Sequence, residues 1–474
     1  MKKLALIILV GLIPRLWQLP QNLQIHYDQG LHSLAVWNIW HDHKLSLLGH
    51  PTDVDGIFHA PIYYWLMVPA YFLGGGDPAA ASVFQILLDA FGVVFLFLLA
   101  RDLFDSKTGY FAALLYSVSY GYAGYARWLS NVTPAFPFSA LFFWLLYKVW
   151  CGQSRLVPVT LLIASIITEF NGAIGVFLFP VILWVLISRK LLSKINYFWS
   201  FILFILPHLP LLAFELRHNF VISKAVLNFN GNSSAGLGFS LSVVERNLQV
   251  LYTQLYHLTS YSLPVLTFLL VIASVILVRQ KFLVGSIVIF ILGLSLYQRG
   301  ALQFFFVPVF GLFTIIFAQT LTKLPKIIIF IIIAINVYHW KYFLVPHHNL
   351  TPIGTANLIT NQDRKNVTDF IYQTAAGRPF AVWIYTIPYF LDEPWTYYFT
   401  WYGNDRYKYL PIRTGGFSPN DLPANTLFFA IYEPDWNRPP RLSSWQDEVN
   451  KNFGPRLASY RSHDAVVEEH AWPN

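Results

Sequence analysis

The chain has 474 residues, of which 55% are hydrophobic, 18% aromatic and only 12% charged, against about 25% charged in a soluble globular protein. That deficit excludes one soluble core, and the +8 formal charge is spread through short loops, which excludes a nucleic-acid face built as one basic patch. The single cysteine, Cys151, excludes an intramolecular disulfide framework and a cysteine-based zinc site.

Roughly 20 apolar residues cross a bilayer as a helix. The first such stretch is 4–19, behind Lys2 and Lys3. No small-residue cleavage motif follows it, so it is expected to remain as an uncleaved first span. A polar loop runs over 20–80, and further spans are expected at 82–100, 109–123, 134–150, 157–168, 172–188, 197–214, 262–278, 282–297, 302–321 and 327–344. These make about eleven transmembrane helices in a polytopic domain over 1–345. From 346 to 474 the hydropathy drops, Pro, Asn, Asp and Trp become common, and short apolar runs at 380–387 and 426–431 read as strands of a small α/β domain.

Lys and Arg accumulate in cytoplasmic loops. With the amino terminus inside, the inner loops hold Lys2, Lys3, Arg101, Lys107, Lys148, Arg155, Arg189, Lys190, Lys194, Arg279, Lys281, Lys323 and Lys326. The outer loops hold only Lys44, Arg127, Arg217, Lys224, Arg246 and Arg299. An odd number of spans then puts the carboxyl-terminal domain outside, on a cytoplasmic membrane.

Ionisable residues are costly within a bilayer, so those at the outer helix ends carry the information. The first outer loop opens on His26, Tyr27, Asp28 and Gln29, and an amphipathic stretch follows in which His32 lies one turn beyond Asp28. Asp28 suits either a helix cap or a reactive carboxylate. With His26 and His32, or with His59, it also offers the carboxylate and imidazole donors that suit a divalent ion such as Mn, Mg or Zn. The Asp53-Val54-Asp55 pair reads as a solvated turn. Arg127, after the third span, suits an anion or a lipid headgroup. Glu169 and Asn171 interrupt an otherwise apolar run, as a loop or as a polar cavity lining. Arg217, Lys224 and Arg299 also lie on the outer rim, where cations would suit a phosphate.

Several short motifs recur in an order that resembles the multi-spanning GT-C glycosyltransferases, the superfamily containing protein O-mannosyltransferases and lipid A aminoarabinose transferases. They are Pro14-Arg15-Leu16-Trp17-Gln18-Leu19, His26-Tyr27-Asp28-Gln29, Gly56-Ile57-Phe58-His59-Ala60-Pro61-Ile62-Tyr63-Tyr64, Leu99-Ala100-Arg101-Asp102-Leu103-Phe104 and Ala126-Arg127. A later element, Phe214-Glu215-Leu216-Arg217-His218-Asn219-Phe220, looks like a bacterial branch of the group. Two positions depart from the pattern: many relatives carry Asp-Glu where this chain has Asp28-Gln29, and an acidic residue after the third span where it has Ser130 and Asn131.

The resemblance implies a catalytic aspartate in the first outer loop, which by motif position is Asp28, and a polyprenyl-phosphate-linked sugar donor. The expected reaction is inverting transfer to a glycan, lipid or protein acceptor. In that reading Asp28 is the general base. Arg127, Arg217, Lys224 and Arg299 hold the donor phosphate, and Tyr27, Gln29, His59, Asn131 and Glu169 line or support the cavity. A transporter or flippase would show paired half-sequences, which are absent from this sequence. A non-catalytic envelope-glycan assembly protein could bind glycans through Trp383, Trp395, Tyr397, Tyr398 and Trp401, although aromatics this dense more commonly form a small domain's core.

Overall fold

Helices occupy each of the expected spans. They are Lys2–Leu16, Pro78–Leu103, Ser106–Val118, Ala135–Trp150, Val157–Phe170, Gly172–Gly175 with Leu178–Ser188, Tyr197–Ile205 running on into Leu209–Arg217, Pro264–Leu277, Lys281–Leu294, Val307–Leu321 and Lys326–His339. The structure is a computed structural model and describes residues 2–52, 54–231, 236, 238–261, 263–345, 359–389, 391–414, 422–423 and 425–471. Among these residues four helices are long and apolar enough to cross a membrane: Pro78–Leu103, Tyr197–Arg217, Gln303–Leu321 and Lys326–Leu344. A fifth results if the pair Leu241–Thr259 and Pro264–Leu277, bent by 104°, is one span. Others, such as Ala135–Trp150 and Lys281–Leu294, are apolar but shorter. The helix Leu241–Thr259 was not expected, because its exposed face carries Glu245, Arg246 and Gln249 and only one stripe, with Val243, Leu251, Leu255 and Leu258, is buried.

The chain forms two compact units, and they divide the polar loop over 20–80. One comprises Met1–Trp17, Leu45–Met67 and Val83–Tyr342; the other comprises Gln18–Lys44, Val68–Ser82 and Phe343–Asn474. The His26–Gln29 motif thus folds with the carboxyl-terminal segment.

In the first unit, motif residues join the helices. Arg15 is 2% exposed and pairs with Asp89, Nε to Oδ2 at 2.9 Å. Its Nη1 donates to the carbonyl oxygens of Gly11 and Ser117, and the Tyr116 hydroxyl donates to Asp89. A buried charge is tolerable only when paired and hydrogen-bonded in this way. Asp102 accepts from Arg101, Trp144 and Lys148 and so ties the ends of Pro78–Leu103 and Ala135–Trp150 together.

In the second unit, five strands form a mixed sheet: β1 Phe380–Tyr385, β2 Arg413–Thr414, β3 Leu427–Tyr432, β4 Arg456–Ser462 and β5 Ala465–His470. Their order is β2-β1-β3-β5-β4, with β1 parallel to β2 and β3 and the β3–β5 and β5–β4 pairs antiparallel. β1 is buried along its length, as expected of a parallel strand covered on both faces. Helix Asn361–Ala375 buries Val367, Ile371 and Tyr372 in one core with Phe380, Val382 and Ile384, while Pro439–Phe453 contributes Trp445, Val449 and Phe453 to another with Ala381 and Trp383. Trp383, Trp395, Tyr397, Tyr398 and Trp401 are all buried, so these aromatics belong to the core and are not an exposed glycan-binding face. Trp401 Nε1 donates to the Gly75 carbonyl at 2.6 Å. It also lies so close to Gly76 (φ +90°) that a Cβ there would stand 2.4 Å from its ring, so glycine is required by both space and backbone.

Candidate active site

The predicted residues fall into two clusters, one in each unit. In the second unit, Tyr27, Asp28 and Gln29 form the first turn of the helix Tyr27–Trp40. His26 is the N-cap, and its backbone N–H donates to Gln29 Oε1 at 3.0 Å in a capping box. Gln29, expected to line or support a cavity, is committed to this local bond. Asp28 is not the cap residue; it is a half-buried carboxylate two residues inside the helix, where the helix dipole favours negative charge.

The backbone before this turn is held by residues more than three hundred positions away. Ile25 N–H donates to the Ile359 carbonyl at 3.3 Å, and Asn361 N–H to the Leu23 carbonyl at 2.7 Å. Arg364, 1% exposed, donates from Nε (3.0 Å) and Nη2 (2.8 Å) to the Ile25 carbonyl. The same Nη2 meets Glu433 Oε1 at 3.2 Å. Trp395 Nε1 donates to that oxygen at 3.2 Å, and the guanidinium lies over the Trp395 ring at 4.5 Å. Burial of the His26 ring, reinforced by the charge on Arg364, lowers its pKa to about 3, so the imidazole is neutral at physiological pH.

Sequence reasoning missed Glu393. The short helix Glu393–Tyr398 packs on the turn so closely that a Cβ at Gly30 would stand 2.4 Å from Pro394 N. Burial pushes the Tyr27 hydroxyl pKa up, with Glu393 and then Asp28 adding to the rise. Burial also raises the Glu393 and Asp392 carboxyls above the usual carboxylate range, and Asp392 adds to the rise at Glu393. Among the described residues no group of three or more His, Cys, Asp or Glu side chains is placed to hold a metal ion. The set His26, Asp28 and His32 is therefore not brought together as metal ligands.

The second cluster lies in the first unit. Residues 49–60 form a small hairpin: Gly49 N–H donates to the His59 carbonyl at 2.7 Å, His59 N–H to His50 at 3.0 Å and Thr52 N–H to Ile57 at 3.0 Å. Its turn passes through Gly56, whose φ of +80° is the left-handed region glycine favours. Asp55 is exposed in this turn, and Asp53 lies outside the described residues. The hairpin ends with Ala60 N–H donating to Glu169 Oε2 at 2.6 Å, while Glu169 Oε1 meets His208 Nδ1. Glu169 is 4% exposed and His208 19%. Asn131 Nδ2 donates to the Phe170 carbonyl at 2.6 Å, and His59 Cε1 lies 3.7 Å from the position a Cβ would take on Gly172. Glu169, His59 and Asn131 therefore meet where the apolar run is interrupted, with His208 added by the structure.

The predicted phosphate ligands separate. Arg127 is buried, and its Nη1 donates to the carbonyl oxygens of Pro14 (3.1 Å), Arg15 (3.2 Å) and Trp17 (2.8 Å). Carbonyls at a helix end lack intrahelical partners, and Arg127 satisfies them for the first helix, a role neither sequence reading anticipated. Arg217, Lys224 and Arg299 are exposed. Lys224 lies in the helix Val221–Gly231, and the Arg299 guanidinium lies over Phe229 of the same helix at 5.2 Å. Glu215 caps that helix through Ile222 N–H (2.7 Å) and Ser223 N–H (2.9 Å). Between it and the preceding helix Leu209–Arg217 runs an open groove of about 500 Å³, with His208 and Glu215 among walls of Leu212, Val226 and Leu227.

A family described as dolichyl-phosphate-mannose-protein mannosyltransferase matches residues 58–214, a third of the chain that contains His59, Arg127, Glu169 and His208 but not Asp28. No curated protein matches the sequence. Among solved structures, ArnT from Cupriavidus metallidurans bound to undecaprenyl phosphate aligns over 99% of both chains with a TM-score of 0.67 and 11% identity. Its apo state gives 0.66 and 12% over the same shares. An oligosaccharyltransferase from Archaeoglobus fulgidus, in complex with Zn and sulfate, aligns at TM-score 0.45 and 11% identity over 91% of this chain and 68% of its own, too distant for its chemistry to bear on this one. The chain therefore has the fold of the multi-spanning GT-C glycosyltransferases that its first-half motifs resemble.

Proposed function

We propose that this chain transfers a hexosyl or pentosyl group, with inversion, from a polyprenyl-phosphate donor to a glycan, lipid or protein acceptor on the outer face of the cytoplasmic membrane. The observation that carries the reading is the fold match along the whole length of ArnT, seen in complex with undecaprenyl phosphate. An acceptor hydroxyl attacks the anomeric carbon and gives its proton to Asp28, while the carbon–oxygen bond to the lipid phosphate breaks and the phosphate leaves with the electron pair. Arg217, Lys224 and Arg299 offer positive charge to that phosphate. The apolar groove beside Val221–Gly231 suits a prenyl chain. Glu169, with both oxygens engaged by Ala60 and His208, is suited to holding the hairpin in place more than to proton transfer.

Two experiments test this. Mass spectrometry of a strain lacking the chain is expected to show one polyprenyl-phosphate sugar accumulating and one surface sugar missing; unchanged profiles of both count against the transfer reading. A reporter fused after Asn474 is expected outside the cell, since Lys and Arg favour the alternate loops. Its recovery in the cytoplasm would reverse the orientation.

A further inference from the structure

We propose that Glu393, supplied by the carboxyl-terminal segment, is a substrate-binding residue of the Asp28 centre, its carboxylate accepting a hydrogen bond from a sugar hydroxyl. This deepens the transfer reading and rests on it. Glu393 opens the helix Glu393–Tyr398, and the bare Gly30 Cα lets Pro394 settle directly on the first turn of Tyr27–Trp40. The contact fixes the backbone at residue 393 beside the turn that carries Tyr27 and Asp28, and any side chain larger than hydrogen at position 30 would push it away.

The chemistry of the side chain supports a ligand-facing role. Glu393 Oε2 is buried and has no hydrogen-bond partner among the described residues, whereas more than nine in ten buried polar groups in folded proteins are satisfied. The buried carboxylates of this unit Glu433 and Asp435 are engaged: Glu433 takes Arg364 and Trp395, and Asp435 takes Tyr385 and Arg441. A carboxylate oxygen accepts hydrogen bonds only, so its natural complement is a polyhydroxylated molecule. Burial raises the pKa of this carboxyl, because desolvation disfavours the charged form of an acid. Gln29 cannot fill the role, because its oxygen caps His26.

Binding is measured apart from turnover, so that the two readings fail separately. Full-length protein in lipid nanodiscs is titrated with bare undecaprenyl phosphate and with pooled polyprenyl-phosphate sugars extracted from envelopes. Wild type, Glu393→Gln and Glu393→Ala are compared, with thermal unfolding confirming that each is folded. Wild type is expected to prefer the sugar-bearing lipids at least about tenfold, the size of one hydrogen bond to a charged group. Glu393→Ala should abolish the preference and Glu393→Gln reduce it several-fold, with affinity for bare lipid unchanged in both. Wild-type preference in either folded variant, or no preference in wild type, overturns the assignment. A wild type that prefers sugar-bearing lipid yet transfers no sugar instead overturns the transfer reading.

Discussion

Arg364→Leu is expected to destabilise the second unit by about 3–5 kcal/mol, the cost of removing one partner from a buried ion pair. The loss has two parts. Glu433, 2% exposed, would keep its charge but lose the guanidinium that faces it. The Ile25 carbonyl would also lose both guanidinium donors, releasing the backbone that leads into His26-Tyr27-Asp28. Activity should therefore fall with stability. Adding Glu433→Leu removes the orphaned carboxylate and should recover part of the stability, but not the hold on Ile25. Urea unfolding and hydrogen exchange over 359–385 read both effects. A change below about 1 kcal/mol, as surface ion pairs give, would show that the pair is not buried.

The spans were legible because hydrophobic runs of this length have one physical solution in a bilayer. The strands at 380–385 and 427–432 were legible for the corresponding reason, as short apolar runs between turn residues. The division of the loop over 20–80 was not. Its two ends belong with the carboxyl-terminal segment and its middle with the helical unit, through pairings such as Gln24 with Thr360 that no local pattern announces. Glu169 stood out because a carboxylate breaks an apolar run, yet its partner is the Ala60 backbone N–H, 109 positions earlier. Arg127 is a different case: its position suggested an anion or a lipid headgroup, and the fold adds three carbonyl oxygens at the end of the first helix as partners of its Nη1. Arg364, Glu393 and Glu433 carried no signal, because charged residues in a polar segment are ordinary until the fold gives them buried partners, as it does Arg364 and Glu433, or packs them on the Asp28 turn, as it does Glu393.

Asp28→Asn is expected to lower transfer by about 10²–10⁴-fold, the usual worth of a general base, while leaving the protein folded. Asparagine keeps the shape and one acceptor oxygen but loses the charge and the basicity. The stability cost should stay within about 0.3–1 kcal/mol, the dipole interaction of a carboxylate in a first helical turn, because His26 and not Asp28 is the cap. The capping alternative predicts near-normal activity, since asparagine caps about as well as aspartate, and it has lost its structural basis. The decisive measurement is transfer of radiolabelled sugar from total polyprenyl-phosphate lipids to envelope acceptors by purified full-length wild type and Asp28→Asn at matched folded concentration. The account predicts lipid-dependent transfer by wild type and a loss of at least a hundredfold in the variant; no transfer by wild type, or variant activity within a few-fold of it, would contradict the account.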